Sequence, residues 1–223
     1  SSDLNEIKIL KELSNVYTIK LKNYYKYSGN ISGGVLYYEY LDGIDLFDYY
    51  DKYKNFTLLD IKDILLQLVL CINYCHNKNI VHLDIKPENF IVCQIKPLKI
   101  KLIDFGFSEF YEKYNDLFIF TGTIPYVAPE ILKCNYHFNS DIWSLGCVIY
   151  CLMYKIFPFN CDNYIATMHN VEKSTEYLSL LNLLKSEYHK LGHLSDLLLR
   201  MFIIDPIKRI SSSEVLLHPF LKN

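Results

Sequence analysis

Neither sign of charge dominates this sequence. Its 23 lysines and arginines stand against 25 aspartates and glutamates, a formal net charge of -2. That balance gives no electrostatic footing for nucleic acid or a membrane surface, and neither is expected as a partner. No apolar run reaches the roughly eighteen residues a membrane-spanning helix needs, and the first residues do not read as a signal peptide. A metal reading of the cysteines carries little weight. Among seven cysteines, Cys71/Cys75 and Cys147/Cys151 are helical i,i+4 pairs, but they lie in apolar segments with too few neighbouring ligands for zinc. Reduced thiols in an intracellular protein are the expectation, cytoplasmic with the nucleus left open. Apolar content is plentiful. At 51% of 223 residues it suffices for the core of one large domain or two small lobes.

One stretch organises the rest. Val81-His82-Leu83-Asp84-Ile85-Lys86-Pro87-Glu88-Asn89 is followed fifteen residues later by Asp104-Phe105-Gly106. Between them lie two short apolar runs, Phe90-Ile91-Val92-Cys93 and Lys99-Ile100-Lys101-Leu102-Ile103, with Pro97 in the gap. They read as a β-hairpin. A hairpin brings its ends together, so Asp84 and Asn89 should sit near Asp104. A magnesium ion takes oxygen ligands and keeps room for water and phosphate. Asn89 and Asp104 are the ligand candidates. Asp84 is then free to accept a hydroxyl proton, and Lys86 can neutralise charge on a moving phosphoryl group. An Asp-Phe-Gly triplet alone is weak evidence. Joined to H-x-D-x-K-x-x-N at this spacing, it is specific.

These motifs resemble those of eukaryotic protein kinases of the serine/threonine type. The resemblance runs from near the first residue to the last. It implies an α+β, protein-kinase-like fold with a mostly α-helical C-terminal lobe and a remnant of the β-rich N-terminal lobe. Residues 1–41 would supply the partial N-terminal lobe: the end of the C helix, strands 4 and 5 and the hinge. Residues 42–223 would form the C-terminal lobe with the catalytic loop and activation segment. The family's glycine-rich loop and strand-3 lysine precede the C helix and have no counterpart here. The chain is therefore read as part of a longer kinase, with Ser1-Ser2 as a cloning remnant. The implied activity is transfer of the ATP γ-phosphoryl group to a protein serine or threonine, with ATP and Mg2+ as cofactors. The alternative is a kinase-like scaffold or interaction module without catalysis. Against it stand Asp84, Lys86, Asn89 and Asp104, which a pure scaffold does not need.

The other assignments follow the resemblance along the chain. Residues 3–13 carry apolar residues at helical spacing (Leu4, Ile7, Leu10, Leu13). Glu6 matches the glutamate that pairs with the strand-3 lysine. Residues 16–27 and 35–40 read as strands around a glycine-containing turn. Tyr38 would be the gatekeeper, and the Glu39 carbonyl and Leu41 amide would bond adenine, with Ile91 packed beneath it. Asp45 and Glu88 match acids near the ribose and the substrate channel. They favour a protein substrate that is basic around its acceptor. Residues 58–77 form a structural helix. Thr123 and Lys86 would position Asp84, which favours serine or threonine as acceptor. Asp141 would bond the catalytic-turn backbone from below, and Arg209 would pair with Glu130.

Two departures bear on regulation. Leu83 replaces the usual arginine that grips an activation-segment phosphate, and Ile119 stands where the usual phosphothreonine would fall. Myosin-light-chain-type kinases share the His-Leu-Asp form. This points to the calcium/calmodulin-dependent branch, with any calcium sensor outside this chain. Activity is expected not to require phosphate at Ile119, while Thr121, Ser108 and Tyr114 remain candidate sites. Residues 177–191 are leucine-rich at helical spacing and read either as core or as a docking surface. Residues 215–220 close the domain, with His218-Pro219 as a stop signal.

Overall fold

Helices of 4 to 19 residues dominate the regular structure beyond residue 45, and the strands are short and antiparallel, an α+β architecture. A computed structural model describes residues 2–27, 33–111 and 121–222. The chain enters through α1 (Ser2–Glu12) and a hairpin of β1 (Leu21–Tyr27) and β2 (Gly33–Tyr38). β1 is shorter than the sequence pattern suggests, and β2 keeps the expected length but begins two residues earlier. Residues 15–17 bend, and Thr18 bridges Leu102, which delays β1 to Leu21. Ile7, Ile9, Leu10 and Leu13 are buried, whereas Leu4, expected on the same apolar stripe, is exposed. The glycine-containing turn at 28–32 lies outside the described residues, as do Tyr114 and Ile119.

Next come β3 (Ile44–Asp45), α2 (Leu46–Tyr53), α3 (Leu58–His76) and β4 (Ile80–Val81). Asp45 caps α2 by accepting from the Asp48 amide. Thr57 and Asp60 cap α3 reciprocally, satisfying two amide donors that a bare helix end would leave unpaired. The helix ends at Asn77. Its face of Ile61, Ile64, Leu65, Leu68, Val69 and Ile72 is buried, each side chain adding roughly 1.5–3 kcal/mol on transfer from water. The hairpin is β5 (Phe90–Ile95) with β6 (Leu98–Leu102), and β3 adds to its free edge. β7 (Glu109–Phe110) pairs with β4.

The rest of the chain is helical: α4 (Ser140–Tyr154), α5 (Tyr164–His169), α6 (Thr175–Ser186), α7 (Tyr188–Leu191), α8 (His193–Met201), α9 (Ser212–Leu217) and α10 (Pro219–Lys222). α4 is buried on nearly every side, as expected of a helix without a polar face. Trp143 stacks on Phe159 at 5.6 Å, and the Arg209 guanidinium lies 5.1 Å from the Trp143 ring. The leucine-rich 177–191 segment divides at Glu187. It buries Tyr177, Leu180 and Leu184, so its inner face is core. His218-Pro219 stops α9 as expected: His218 is extended at ψ 142°, as a residue before proline favours, and Pro219 then opens α10, a helix start its fixed φ suits. Among the described residues no helix is long and apolar enough to cross a membrane. All seven cysteines are free thiols, and burial pushes Cys71 up to about 12 and Cys75 and Cys147 well above the ordinary value.

Candidate active site

Hairpin closure sets the geometry. Phe90 pairs with Leu102, and the Ile103 amide donates to the Asn89 carbonyl at 2.9 Å. Asn89 and Asp104 thus lie at neighbouring ends of one β ladder. Pro87–Asn89 is a single 3-10 turn that returns Asn89 to Asp84. Asn89 Nδ2 donates to the Asp84 carbonyl at 2.8 Å and to Asp84 Oδ2 at 3.0 Å. Both amide hydrogens are used, and Oδ1 of Asn89 takes no hydrogen bond among the described residues.

The Asp84 carboxylate is buried and held on both oxygens. Lys86 Nζ lies 2.7 Å from Oδ2. Thr123 Oγ1 donates to Oδ1 at 2.6 Å and accepts from Lys86 Nζ at 2.9 Å. Asp84, Lys86 and Thr123 form a closed triangle, which matches the sequence expectation for Thr123. The loop carrying Thr123 approaches through Gly122, whose φ of +101° suits glycine. A Cβ there would stand 2.8 Å from the Leu83 carbonyl, so the close approach also excludes a side chain.

Asp104 is exposed and left-handed at φ 59°, and its Oδ1 accepts from the Gly106 amide at 3.2 Å. Phe105 is buried with its ring edge-on to His82 at 5.1 Å. His82 Nδ1 accepts from the Asp84 amide, which leaves the proton on Nε2 to donate to the Ile103 carbonyl at 3.1 Å. One imidazole therefore ties the two turns together.

Asp141 supports the turn from α4. Its oxygens accept from the amides of His82 and Leu83, each at 2.9 Å, as expected. His76 Nε2 also reaches Asp141 at 2.9 Å, a contact absent from the sequence reading. Arg209 grips Glu130 with two nitrogens, at 2.6 and 3.0 Å. The Ser140 hydroxyl donates to Glu130 as well, at 2.8 Å.

The remaining expected residues lie toward the β1–β2 hairpin and α2. Glu6 accepts at Oε1 from the Tyr38 hydroxyl at 2.8 Å. Burial, followed by the bond and charge of Glu6 and the charge of Asp104, raises the Tyr38 pKa well above its ordinary value. The hydroxyl thus remains a protonated donor. The Glu39 side chain accepts from the Lys20 amide at 3.0 Å and pairs with Lys101. No hydrogen bond among the described residues occupies the Glu39 carbonyl or the Leu41 amide. Ile91 is half-buried beside Gly43. A Cβ on Gly43 would come within 2.4 Å of the Val92 carbonyl, so the chain needs glycine to pass here. Glu88 is exposed, and Asp45 is partly committed as the α2 cap. Ser108 is corrected as a modification site. It is buried, and its hydroxyl donates to the His82 carbonyl at 3.1 Å.

The contacts missed in the sequence join residues far apart: Tyr38 with Glu6, Lys101 with Glu39, His76 with Asp141. No local spacing signals such pairs. The nearest hint is the alternation of Lys99 and Lys101 in β6, which places both on one face of the strand.

A family model described as protein kinase domain matches residues 1–221. The chain belongs to the protein kinase domain family. Its sequence is 32% identical over 222 residues to human "Myosin light chain kinase family member 4", covering 98% of this chain and 55% of that protein. It is 37% identical over 169 residues to "Calcium-dependent protein kinase 5" of Plasmodium falciparum, covering 75% of this chain and 29% of that one. With "Serine/threonine-protein kinase cds1" of Schizosaccharomyces pombe it shares 33% identity over 223 residues, 96% of this kinase domain and 46% of the relative. The chain thus spans about half, or less, of the curated relatives it matches.

Proposed function

We propose that this kinase domain transfers the γ-phosphoryl group of ATP to serine or threonine hydroxyls of protein substrates. The observation that carries the reading is the Asp84 carboxylate, fixed by Lys86, Thr123 and Asn89 within 3.0 Å. A hydroxyl meeting that carboxylate loses its proton to Asp84 or is oriented by it. Lys86 offsets the negative charge that develops beside it. Thr123 holds both in register. Catalysis of this class rests on positioning and electrostatics rather than on covalent chemistry.

The residues present fit ATP and Mg2+ in the donor set they offer. The spare Oδ1 of Asn89 and the exposed carboxylate of Asp104 are hard oxygen ligands of the kind magnesium takes. The unpartnered Glu39 carbonyl and Leu41 amide would hold adenine over Ile91. Glu6 would hold a lysine cation, and Asp45 and Glu88 would line the ribose and substrate side. Mg2+, when bound, would neutralise phosphate charge. In this reading residues 1–41 contribute the end of the smaller lobe and 42–223 the larger lobe.

Exposed Glu88 supports a substrate basic around its acceptor. A cavity of about 160 Å3 opens beside it, lined by Phe47, Tyr50, Pro87, Tyr126, Leu152 and Phe157. It is smaller than the roughly 300 Å3 at which small-molecule sites begin, so it suits one apolar side chain of a bound peptide. The similarity to proteins named as myosin light chain and calcium-dependent kinases supports calcium-linked regulation from outside this chain. The seven free thiols support an intracellular setting.

Asp84→Asn in the full-length protein tests the assignment. Turnover of a basic protein substrate should fall by about 10²-fold or more while nucleotide affinity stays within about twofold. Unchanged turnover would reject Asp84 as the acting carboxylate. A wild-type protein that binds nucleotide without turnover would favour the interaction-module reading.

A further inference from the structure

Two adjacent residues of α1 reach different neighbours. Asn5 Nδ2 donates to the Ser108 carbonyl at 3.0 Å and to Glu109 Oε2 at 2.9 Å. Glu6 accepts from the Tyr38 hydroxyl at 2.8 Å. The segment that Asn5 grips is itself fixed. The Ser108 hydroxyl bonds the His82 carbonyl, Glu109 pairs with Val81, and the Tyr111 amide donates to Asn79 at 2.8 Å. Through Asn5, α1 is joined to β7, which in turn pairs with β4, the strand that leads into the catalytic turn. Through Glu6, it is joined to β2. Neither tie uses a phosphate. Leu83, at the family's phosphate-gripping position, is buried and apolar.

We infer that Asn5 and Tyr38 are positioning residues that latch α1 to the site from two sides, so that the site assembles without phosphate on the activation segment. The inference rests on the phosphotransfer reading above and extends it to regulation. Tyr38 orients Glu6 without blocking it. It uses one hydrogen on one oxygen, and an ionised carboxylate has roughly four lone-pair sites, so Glu6 keeps room for a cation. Asn5 works toward a different neighbour, β7. The carboxamide donates two hydrogens, one to a backbone carbonyl and one to a carboxylate, and alanine can replace neither. With both residues in place, α1 is tied to two paired strands, β7 and β2. Loss of either should loosen α1 locally while the buried core around α3 and α4 stays intact.

The test uses phosphatase-treated full-length protein, with Tyr38→Phe, Asn5→Ala and the double variant. Two quantities are read: hydrogen exchange of the α1 amides, and turnover of a basic protein substrate. Dephosphorylated wild type should be active. Each single variant should raise α1 exchange about five- to tenfold, the effect of the one bond lost in Tyr38→Phe or the two partly exposed bonds lost in Asn5→Ala, and lower kcat by a similar factor. The double variant should exceed either single. KM for the substrate and exchange in α3 and α4 should stay unchanged, which a global loss of stability would not allow. Unchanged α1 exchange in both singles would overturn the latch. So would a dephosphorylated wild type that is dead and regains activity with its phosphates. If the protein is inactive in both states, the phosphotransfer reading fails, and α1 exchange alone still decides the latch.

Discussion

Below Asp84 the kinase domain is braced by buried charge, whereas beside Glu6 and Glu39 it is held by partly exposed hydrogen bonds and one ion pair. The lower frame is over-determined. Asp141 takes three donors, and Glu130 takes two from Arg209 and one from Ser140. The Arg209 side chain is 0% exposed and that of Glu130 is 9% exposed. The Glu39–Lys101 pair, by contrast, has side chains 24% and 20% exposed. A buried charge left without its partner is costly, while water can take over for a half-exposed one. The comparison indicates a rigid base that fixes Asp84 and an upper rim free to adjust around a ligand.

Arg209→Met attacks the stiff side of the comparison most directly. It leaves Glu130 buried without a cation and should cost on the order of 3–5 kcal/mol in urea unfolding. A loss below about 1 kcal/mol would show that the base is not braced as described. Thr57→Ala, at the α3 cap, should cost about 1 kcal/mol by the same measurement. That cap adds a pH signature. The Thr57 hydroxyl and amide hold the Asp60 carboxyl below its ordinary 3.8. The folded value lies below the unfolded one, so the contribution is complete above about 3.8 and fades as pH falls through the lower folded value. In Thr57→Ala, the acid limb of the stability curve should flatten accordingly. Lys101→Met probes the rim and should change stability by about 0–1 kcal/mol, an effect that shrinks further in salt. A cost matching that of Arg209→Met would erase the contrast between the two regions.

The hairpin and the four polar residues around it were legible because they sit on short local signals. Two apolar runs with a proline between them gave β5 and β6, and H-x-D-x-K-x-x-N with Asp-Phe-Gly fixed what flanks them. Asp141 and the Glu130–Arg209 pair came from the family pattern. The delayed start of β1 was not legible. It follows from Thr18 bridging Leu102, a pairing 84 residues long. The Tyr38–Glu6 and Glu39–Lys101 contacts were hidden for the same reason, since periodicity reports which face a side chain takes and not which distant residue it meets. His218-Pro219 was legible as the stop of α9, but the short helix that Pro219 opens was not, because proline suits a first turn as well as a stop.

Nucleotide binding measured with and without Mg2+ tests the convergence of the two turns most directly. The comparison is full-length wild type against Asn89→Ala and Asp104→Asn. If both residues serve one metal-bound nucleotide, wild type should bind ATP more tightly with Mg2+, and each variant should lose most of that gain while keeping its Mg2+-free affinity. Variants that retain the full Mg2+ enhancement would contradict the account.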